Sequence, residues 1–235
     1  MQDYSNTIYL YGDRIGSVSY VQHMGTDLTV VNSARVSFGV EKDELDDRDK
    51  KLINYLIRHR HTSTLEHNLI TFRFTVPLFV RSQHHRHRTW SYNEISRRYT
   101  DVNIRFYEPK AFRTQHKSNR QASNAEELID PEYFDLACET GRASEAVRTH
   151  HVHCLDLFNQ LIDAGVCREQ ARGVLPQNMY TEYYGTVSLL NALKFISLRS
   201  HEGAQWEIQK VAEAMLKILE DLYPETIAAY KKHAF

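Results

Sequence analysis

The spacing of apolar residues along the chain predicts a mixture of strands and helices. Residues 69–76 place Ile, Phe, Phe and Val on one face and Thr, Arg and Thr on the other. This alternation is typical of a strand with one buried face, which Pro77 is expected to end. Apolar residues in 46–59 recur instead at helical spacing and predict an amphipathic helix. Shorter segments predict further strands at 7–11, 17–23 and 181–187.

Apolar periodicity, with proline or glycine at several segment ends, also predicts further helices. We expect them at residues 77–86, 131–164, 168–174, 189–198 and 204–222. Residues 91–99 are predicted to form a polar loop or the start of a strand, and the polar stretch 105–124 a long mobile loop. Because helices and strands are mixed without regular strand-helix-strand alternation, we expect an α+β fold. It would have a central antiparallel sheet flanked by helices, within a single domain, 1–235.

The composition excludes several classes of protein. The 29 Lys and Arg residues balance 30 Asp and Glu residues, which argues against a uniformly basic nucleic-acid-binding surface. No apolar run approaches the roughly 20 residues of a membrane-spanning helix, and the N-terminus lacks a signal-peptide layout. We therefore expect a soluble, cytoplasmic protein with no membrane partner. Three widely spaced cysteines, Cys138, Cys154 and Cys167, indicate neither a disulfide framework nor a zinc knuckle.

The charges are nevertheless segregated along the chain. Residues 41–49 contain six acids just ahead of an apolar helical pattern, so we interpret them as favourable charges at a helix N-terminus. Residues 81–98 contain five arginines and three histidines against one acid, Glu94. Trp90, Tyr92 and Ile95 interrupt this basic run, and a solvated face rarely carries such residues. An anionic ligand explains the basic run better.

The 13 histidines raise the question of a metal site. Three His-x-His pairs, at 59/61, 85/87 and 151/153, could chelate a metal from a strand. Each pair falls where a helix is predicted, however, and residues two apart on a helix do not face each other. We therefore expect no metal. A His-x-His metal hydrolase remains an alternative, as does a module that binds single-stranded nucleic acid through arginines interleaved with aromatic rings.

The basic run itself contains two anion-binding clusters. Arg86 and Arg88 can grip a phosphate through paired N–H groups, and Ser96, Arg97 and Arg98 form a second candidate turn. Two separated clusters predict two phosphate-bearing ligands. Ser96 has no adjacent base in the sequence, so its hydroxyl is better interpreted as a positioning group than as a nucleophile.

The sequence Arg86-His87-Arg88, seven residues, Ser96 resembles the signature of the flavin-dependent thymidylate synthase family. Other segments resemble that family in the expected order, and together they cover most of the chain. They are Ala34-Arg-Val-Ser-Phe38, His61-Thr-Ser-Thr-Leu-Glu-His67, Arg168-Glu-Gln-Ala-Arg172 with Val174-Leu-Pro176, and Leu198-Arg199 with Ala204-Gln-Trp-Glu207.

The resemblance implies a fold like that of the thymidylate synthase-complementing proteins and a homotetramer with active sites shared between subunits. It implies a reaction in which C5 of dUMP is methylated to give dTMP. Methylenetetrahydrofolate would supply the carbon, and FAD, once reduced by NADPH, would supply the hydride. Nucleic acid is not an expected partner.

The resemblance also implies which residues bind each ligand. The dUMP residues would be Gln83, His84, His85, Arg86, Glu94, Ile95, Ser96, Arg97, Arg98, Arg172 and Arg199. The FAD residues would be His61, Ser63, Glu66, Arg86, His87, Arg88, Glu94, Ser188, Leu190 and Lys194. Arg199 is the expected catalytic residue, because it would stabilise a uracil ring ionised at N3 and so make C5 nucleophilic. The chain departs from the family at the last three FAD residues, where Asn, Arg and Asn are common.

Overall fold

A computed structural model describes residues 7–134 and 140–233 of the chain. In chain order the strands and helices are β1 (Thr7–Tyr9), β2 (Ser17–Met24), α1 (Asp27–Arg35), α2 (Asp47–Arg58), β3 (Leu69–Pro77), α3 (Leu78–His84), β4 (Ser91–Glu94), β5 (Phe112–Gln115), β6 (Ser123–Ile129), β7 (Glu132–Phe134), β8 (Thr140–Arg142), α4 (Ala143–Asp163), α5 (Arg168–Ala171), β9 (Tyr180–Ser188), α6 (Leu189–Arg199), α7 (Trp206–Leu222) and α8 (Pro224–His233). Short 3-10 turns occur at Val36–Phe38, Thr62–Leu65 and Arg172–Val174.

A five-stranded antiparallel sheet lies at the centre of the fold, in the order β1-β2-β3-β9-β4. β3 and β9 pair along their whole length, from Leu69 opposite Ser188 to Pro77 opposite Tyr180. The expected α+β fold with a central antiparallel sheet is therefore confirmed. β5 with β6 and β7 with β8 form two separate antiparallel hairpins.

The two faces of β3 differ as the alternating pattern predicts. Its apolar side chains are fully buried, namely Ile70, Phe72, Phe74 and Val76. They share one core with residues of α1, α2, α6, α7 and α8. The opposite face carries polar cross-strand pairs, since the hydroxyls of Thr71 and Thr186 lie 2.8 Å apart. Burying one face against helices while polar pairs cover the other fixes the register of the strands.

The acidic run serves the start of α2, as the sequence predicts. Asp46 is the N-cap residue, and its carboxylate accepts hydrogen bonds from the backbone N–H groups of Arg48 and Asp49. The carboxylate of Asp49 accepts a hydrogen bond from the backbone N–H of Asp46, and Asp49 is itself buried. Asp49 also pairs with Lys42 and with Arg35 of α1. The acids therefore join two helices as well as complementing one helix dipole.

Two sequence predictions about the middle of the chain are wrong. The polar stretch 105–124 contains β5 and the start of β6 rather than one long loop. The helix predicted from residue 131 begins only at Ala143, because β7 and β8 pair with each other ahead of it. The carboxylate of Asp130 accepts bonds from Ser144 N and Oγ and so caps the true helix start. Residues 135–139, including Cys138, lie outside the described part.

Two helices, α1 and α8, were not predicted, and they contact each other. The buried carboxylate of Asp27 in α1 accepts bonds from the backbone N–H groups of Glu225 and Thr226 and from the Thr226 hydroxyl. The first turn of α8 is thus capped by a side chain 199 positions away, which no local pattern reveals. None of the helices in the described ranges combines the length and apolarity that crossing a membrane requires.

Gly185 lets β9 approach two aromatic rings of the core. A Cβ at this position would lie 2.9 Å from Phe74 Cε2 and 3.1 Å from Trp90 Cε3. We expect Gly185→Ala to lower the free energy of unfolding by about 1–3 kcal/mol, because overpacking a filled core forces side chains or backbone to shift. Urea denaturation measures the change.

Gly173→Ala is the matched control, since nothing lies within 4 Å of a Cβ built there. Its free energy of unfolding should change by less than about 0.5 kcal/mol. Equal stabilities of the two variants would contradict the close approach at Gly185.

Candidate active site

The Arg86-His87-Arg88 sequence forms a turn between α3 and β4. α3 ends at His84, two residues before the predicted end, and the following backbone makes short-range bonds from Arg86 N to Gln83 O and from His87 N to His84 O. Arg86 and Arg88 are exposed, whereas His87 is half-buried. The turn therefore directs His87 inward and leaves two guanidinium groups at the surface.

Arg199, at the end of α6, contacts this turn. Its guanidinium Nε donates a hydrogen bond to His87 Nε2 over 3.1 Å. Burial, together with the neighbouring Arg199 charge, lowers the pKa of His87 from 6.5 to about 4. A neutral imidazole can accept this bond and an imidazolium cannot. The contact thus orients Arg199 without neutralising it, and within the described ranges no carboxylate forms an ion pair with Arg199.

Glu94, the last residue of β4, is held by two elements. Arg81 of α3 donates from Nε to both carboxylate oxygens, at 2.9 and 3.0 Å, and its Nη2 lies 2.7 Å from Oε2. Thr181 of β9 donates its hydroxyl to Glu94 Oε1 over 2.6 Å. The single acid of the basic run is therefore fixed in place, and it joins β4 to α3 and β9 beside the Arg-His-Arg turn.

The side chains around this turn are also held from α7 and from β4. The side chain of Gln83, in α3, donates a hydrogen bond from Nε2 to the side-chain oxygen Oε1 of Gln205, the N-cap residue of α7. The ring of His85 stacks on Tyr92 with centroids 4.0 Å apart. Burial lowers the pKa of His85, because its charged form would lose solvation. The structure thus brings together Gln83, His85, His87, Glu94 and Arg199 of the sequence-predicted residues.

The second anion-binding cluster lies on the loop that follows β4. Arg98 pairs with Glu169 of α5 over 2.6 Å, and Arg168 of α5 pairs with Asp101 over 2.7 Å. These two pairs join the loop to α5, which leads directly into the turn that begins at the exposed Arg172. Arg172 and the Ser96–Arg98 segment are therefore parts of one surface region.

Two residues of this loop are already engaged with the protein backbone. Arg97 is 7% exposed and donates from Nη1 to Val102 O over 2.8 Å. Ile95 is 39% exposed and its backbone N–H pairs with Glu182 O. The side chain of Arg97 therefore holds the loop in shape rather than standing open to a ligand.

A cleft of about 900 Å³ lies between α1, α2 and the Thr62–Leu65 turn. Its walls include His61 and Ser63, two of the residues that the family resemblance assigns to FAD, and also Arg35 and Tyr55. The ring of His61 stands edge-on to Tyr55 at 5.7 Å. Arg35 Nε is buried and has no hydrogen-bond partner among the described residues. The cleft thus offers ring edges, a hydroxyl and an unsatisfied guanidinium donor.

Several residues predicted to bind ligands are buried or lie away from the cleft walls. His84 and Leu190 are 0% and 2% exposed, so their side chains are buried within the fold. The Nδ1 atom of His84 lies 2.8 Å from Tyr183 Oη, and burial lowers its pKa well below the usual value. Ser188 caps α6, with its Oγ accepting a bond from the backbone N–H of Asn191. Glu66 and Lys194 are exposed and, like Ser188, are not in the cleft walls.

Sequence reasoning missed three residues that shape the site, Arg81, Thr181 and Gln205. Arg81 lies in the same basic run as Glu94, so the presence of one acid among arginines was a usable signal for this pair. Thr181 and Gln205 are 87 and 122 positions from the residues they contact. No local spacing indicates contacts of that range.

We expect the imidazole of His87 to titrate near pH 4 rather than near its ordinary 6.5. Because its pKa is lowered in the folded protein, its bond to Arg199 is complete above pH 6.5 and is lost as the pH falls through about 4. Ring ¹H–¹³C NMR across this range measures the midpoint. Arg199→Met should raise the His87 pKa by removing a neighbouring positive charge, and a wild-type midpoint near 6.5 would refute the contact.

Comparison with known proteins identifies the family. Residues 19–225 match the family model described as thymidylate synthase complementing protein. The chain is 42% identical over 218 residues to the flavin-dependent thymidylate synthase of Thermus thermophilus, which spans 93% of this chain and 76% of the relative. It is 38% identical over 221 residues to the enzyme of that name from Thermotoga neapolitana, over 94% and 93% of the two chains.

A solved structure agrees with these relatives. The crystal structure of the UMP/dUMP methylase PolB from Streptomyces cacaoi, bound with 5-Br dUMP, matches with a TM-score of 0.77 and 32% identity, over 96% of this chain and 97% of that one. The chain therefore belongs to the thymidylate synthase complementing protein family, that of the flavin-dependent thymidylate synthases, as its sequence motifs predicted.

Proposed function

We propose that the chain is a flavin-dependent thymidylate synthase, which converts dUMP to dTMP by reductive methylation of C5. The observation that carries this proposal is the Arg199–His87 contact, which holds a guanidinium beside the Arg-His-Arg turn through a neutral imidazole. The names of the curated relatives and the nucleotide bound to the Streptomyces methylase support the same substrate.

Arg199 is suited to the electrostatic demand of this reaction. A uracil ring ionised at N3 carries negative charge that is delocalised toward C5, and C5 can then attack an electrophilic carbon. A guanidinium already oriented by His87 stabilises that charge without reorganising during the step. Burial lowers the pKa of Arg199 from its ordinary value, and among residues 7–134 and 140–233 no carboxylate forms an ion pair with its guanidinium. No protein nucleophile is required, so Ser96 acts as a positioning hydroxyl.

The loop after β4 and the turn at Arg172 are proposed to bind the phosphate of dUMP. Arg98 is paired with Glu169, but the two side chains are 48% and 59% exposed. An exposed ion pair of this kind contributes little, so a phosphate can displace the carboxylate. Ser96 Oγ accepts a bond of 3.3 Å from the backbone N–H of Arg98, and its hydroxyl can donate to the same anion. The rest of the nucleotide would be held from α3, the Arg-His-Arg turn and β4, by Gln83, Arg86 and Glu94 respectively.

The residues of the cleft fit FAD, which, once reduced by NADPH, would supply the hydride that completes the methyl group. The aromatic rings of Tyr55 and His61 in the cleft wall are suited to contact a flat ring system, and the Ser63 hydroxyl can donate to a polar edge of it. The buried Arg35 Nε needs an acceptor, and phosphate oxygens are acceptors that guanidinium groups prefer. The exposed Arg86 and Arg88, with His87, are proposed to meet the same cofactor.

We further propose a homotetramer in which neighbouring subunits complete each active site. Large exposed apolar side chains support contacts between copies, and they include Leu128, Phe134, Val152 and Leu157. Arg86 and Arg88 project from the surface, where they can reach a ligand bound mainly by another copy. Methylenetetrahydrofolate is proposed as the carbon donor and NADPH as the reductant of FAD. Light scattering of the purified protein tests the assembly.

The proposed activity predicts dTMP formation from dUMP, methylenetetrahydrofolate and NADPH. We expect the purified protein to be yellow or to become so when FAD is added, and product to form only when all components are present. Chromatographic detection of dTMP, with and without added FAD, measures this. UMP supplied in place of dUMP tests how far the sugar matters.

A colourless protein that does not bind FAD on reconstitution would refute the flavin-dependent reaction. Steeply salt-dependent binding of single-stranded DNA without dTMP formation would favour the nucleic-acid alternative instead.

We expect Arg199→Ala to retain FAD and to lose at least about 100-fold in kcat, the loss typical when a group that stabilises transition-state charge is removed. Flavin absorbance monitors FAD, and the dTMP assay measures kcat. Arg48→Ala removes an exposed arginine on α2 and should leave kcat unchanged. Wild-type turnover by Arg199→Ala would contradict the proposed role.

A further inference from the structure

A chain of hydrogen bonds runs from Glu207 in α7 to Gln83 beside the Arg-His-Arg turn. Glu207 is 3% exposed, and its Oε2 accepts a bond of 2.9 Å from Gln205 Nε2. The side-chain oxygen Oε1 of Gln205 accepts a hydrogen bond in turn from Gln83 Nε2. None of the ligand assignments made from the family resemblance includes Gln205 or Glu207.

Glu207 is held firmly at its other oxygen. Its Oε1 accepts from Arg113 Nη2 over 2.7 Å and from Tyr107 Oη over 3.1 Å. The guanidinium of Arg113 also lies 5.0 Å from the ring centroid of Trp206, and its Nε donates to Ser123 Oγ. A buried carboxylate with a guanidinium partner at this distance is an ionised, charge-assisted acceptor. The β5–β6 hairpin thus fixes the position and charge of Glu207.

The chemistry of this chain determines which way each amide points. An ionised carboxylate can only accept, so Gln205 must turn its NH₂ group toward Glu207. The side-chain oxygen Oε1 of Gln205 then faces Gln83, which must donate from its own NH₂ group. The side-chain oxygen Oε1 of Gln83 therefore remains available as an acceptor, and within the described ranges no donor forms a hydrogen bond with it. Without the carboxylate, both amides could take either orientation.

We infer that Glu207 is a positioning residue that acts through Gln205. It orients the side-chain amide of Gln83 so that its oxygen Oε1 faces the nucleotide as a hydrogen-bond acceptor. This inference rests on the proposed function, in which Gln83 contacts dUMP. dUMP offers the 3′-hydroxyl group of its sugar and the N3–H group of its neutral ring as donors. A reversed Gln83 amide would meet these donors with its own NH₂ group and would disfavour binding.

The effect should be measured as dUMP affinity rather than as turnover alone. Isothermal calorimetry of the FAD-loaded protein with dUMP compares wild type with Glu207→Gln, Gln205→Leu and the double variant. We expect each single variant to bind dUMP about five- to tenfold more weakly, the range for the loss of one neutral hydrogen bond. The double variant should bind no more weakly than Gln205→Leu, because Glu207 acts only through Gln205.

Two further variants separate the relay from a general loss of structure. Gln209→Leu removes an amide of the same helix that bonds Ala204 O and not Glu207, and it should keep wild-type dUMP affinity. If Glu207→Gln does not fold, the variants Gln83→Leu and Gln205→Leu test whether Gln205 affects dUMP affinity only through Gln83. Their double variant should bind dUMP like Gln83→Leu alone.

The outcomes distinguish this inference from the proposed function. Wild-type protein that binds FAD but not dUMP overturns the proposed function and the relay with it. Wild-type protein that binds dUMP while Gln205→Leu binds it equally well overturns the relay alone. Losses of affinity that multiply in the double variant also overturn the relay, because they show that Glu207 affects binding by another route.

Discussion

The pairing of β3 with β9 is the constraint on which the candidate site depends. Each strand is followed at once by a helix, α3 after Pro77 and α6 after Ser188. Because the strands are antiparallel, the two helices begin at opposite ends of the pair. α6 then extends for 11 residues, about 16 Å, and its last residue, Arg199, meets His87 just beyond the end of α3. Two segments 112 positions apart are thereby brought into hydrogen-bonding distance.

The arginines of the site fall into two electrostatic groups. Arg81, Arg98 and Arg113 each have a carboxylate partner, and these pairs fix α3, the loop after β4 and the β5–β6 hairpin. Arg199 instead contacts a neutral imidazole. A chain of nearly zero net charge can therefore present strong local positive charge to an anionic ligand, because its acidic and basic residues are segregated along the chain.

Neutral polar groups determine orientation within this frame. The lowered pKa of His87 keeps its ring able to accept a bond from Arg199, and burial of His84 keeps that ring neutral within the aromatic core. The acceptor-only carboxylate of Glu207 gives a direction to the amides of Gln205 and Gln83. Hydrogen-bond polarity, more than net charge, therefore decides which groups face the nucleotide.

The sequence by itself determined the strands and helices whose periodicity is local. β3, β9, α2, α6 and α7 were predicted because one face of each carries apolar residues at the spacing of its element. The motif Arg86-His87-Arg88 with Ser96, together with the other ordered segments, indicated the family that the family model and the relatives confirm. Local pattern failed at α1 and α8, and at 131–164, where pairing of β7 with β8 and capping by Asp130 displaced the predicted start.

Only the tertiary structure decided which candidate residues meet and what each can do. The sequence placed Arg97, His84 and Leu190 among the ligand residues, and only the structure shows that their side chains are buried in the protein. It could not indicate that Arg81 and Thr181 hold Glu94, or that Gln205 connects Gln83 to Glu207, because these contacts join distant parts of the chain. Residue type states which hydrogen bonds a side chain can make. Partner, orientation and protonation state depend on burial and distance, which exist only once the strands have paired.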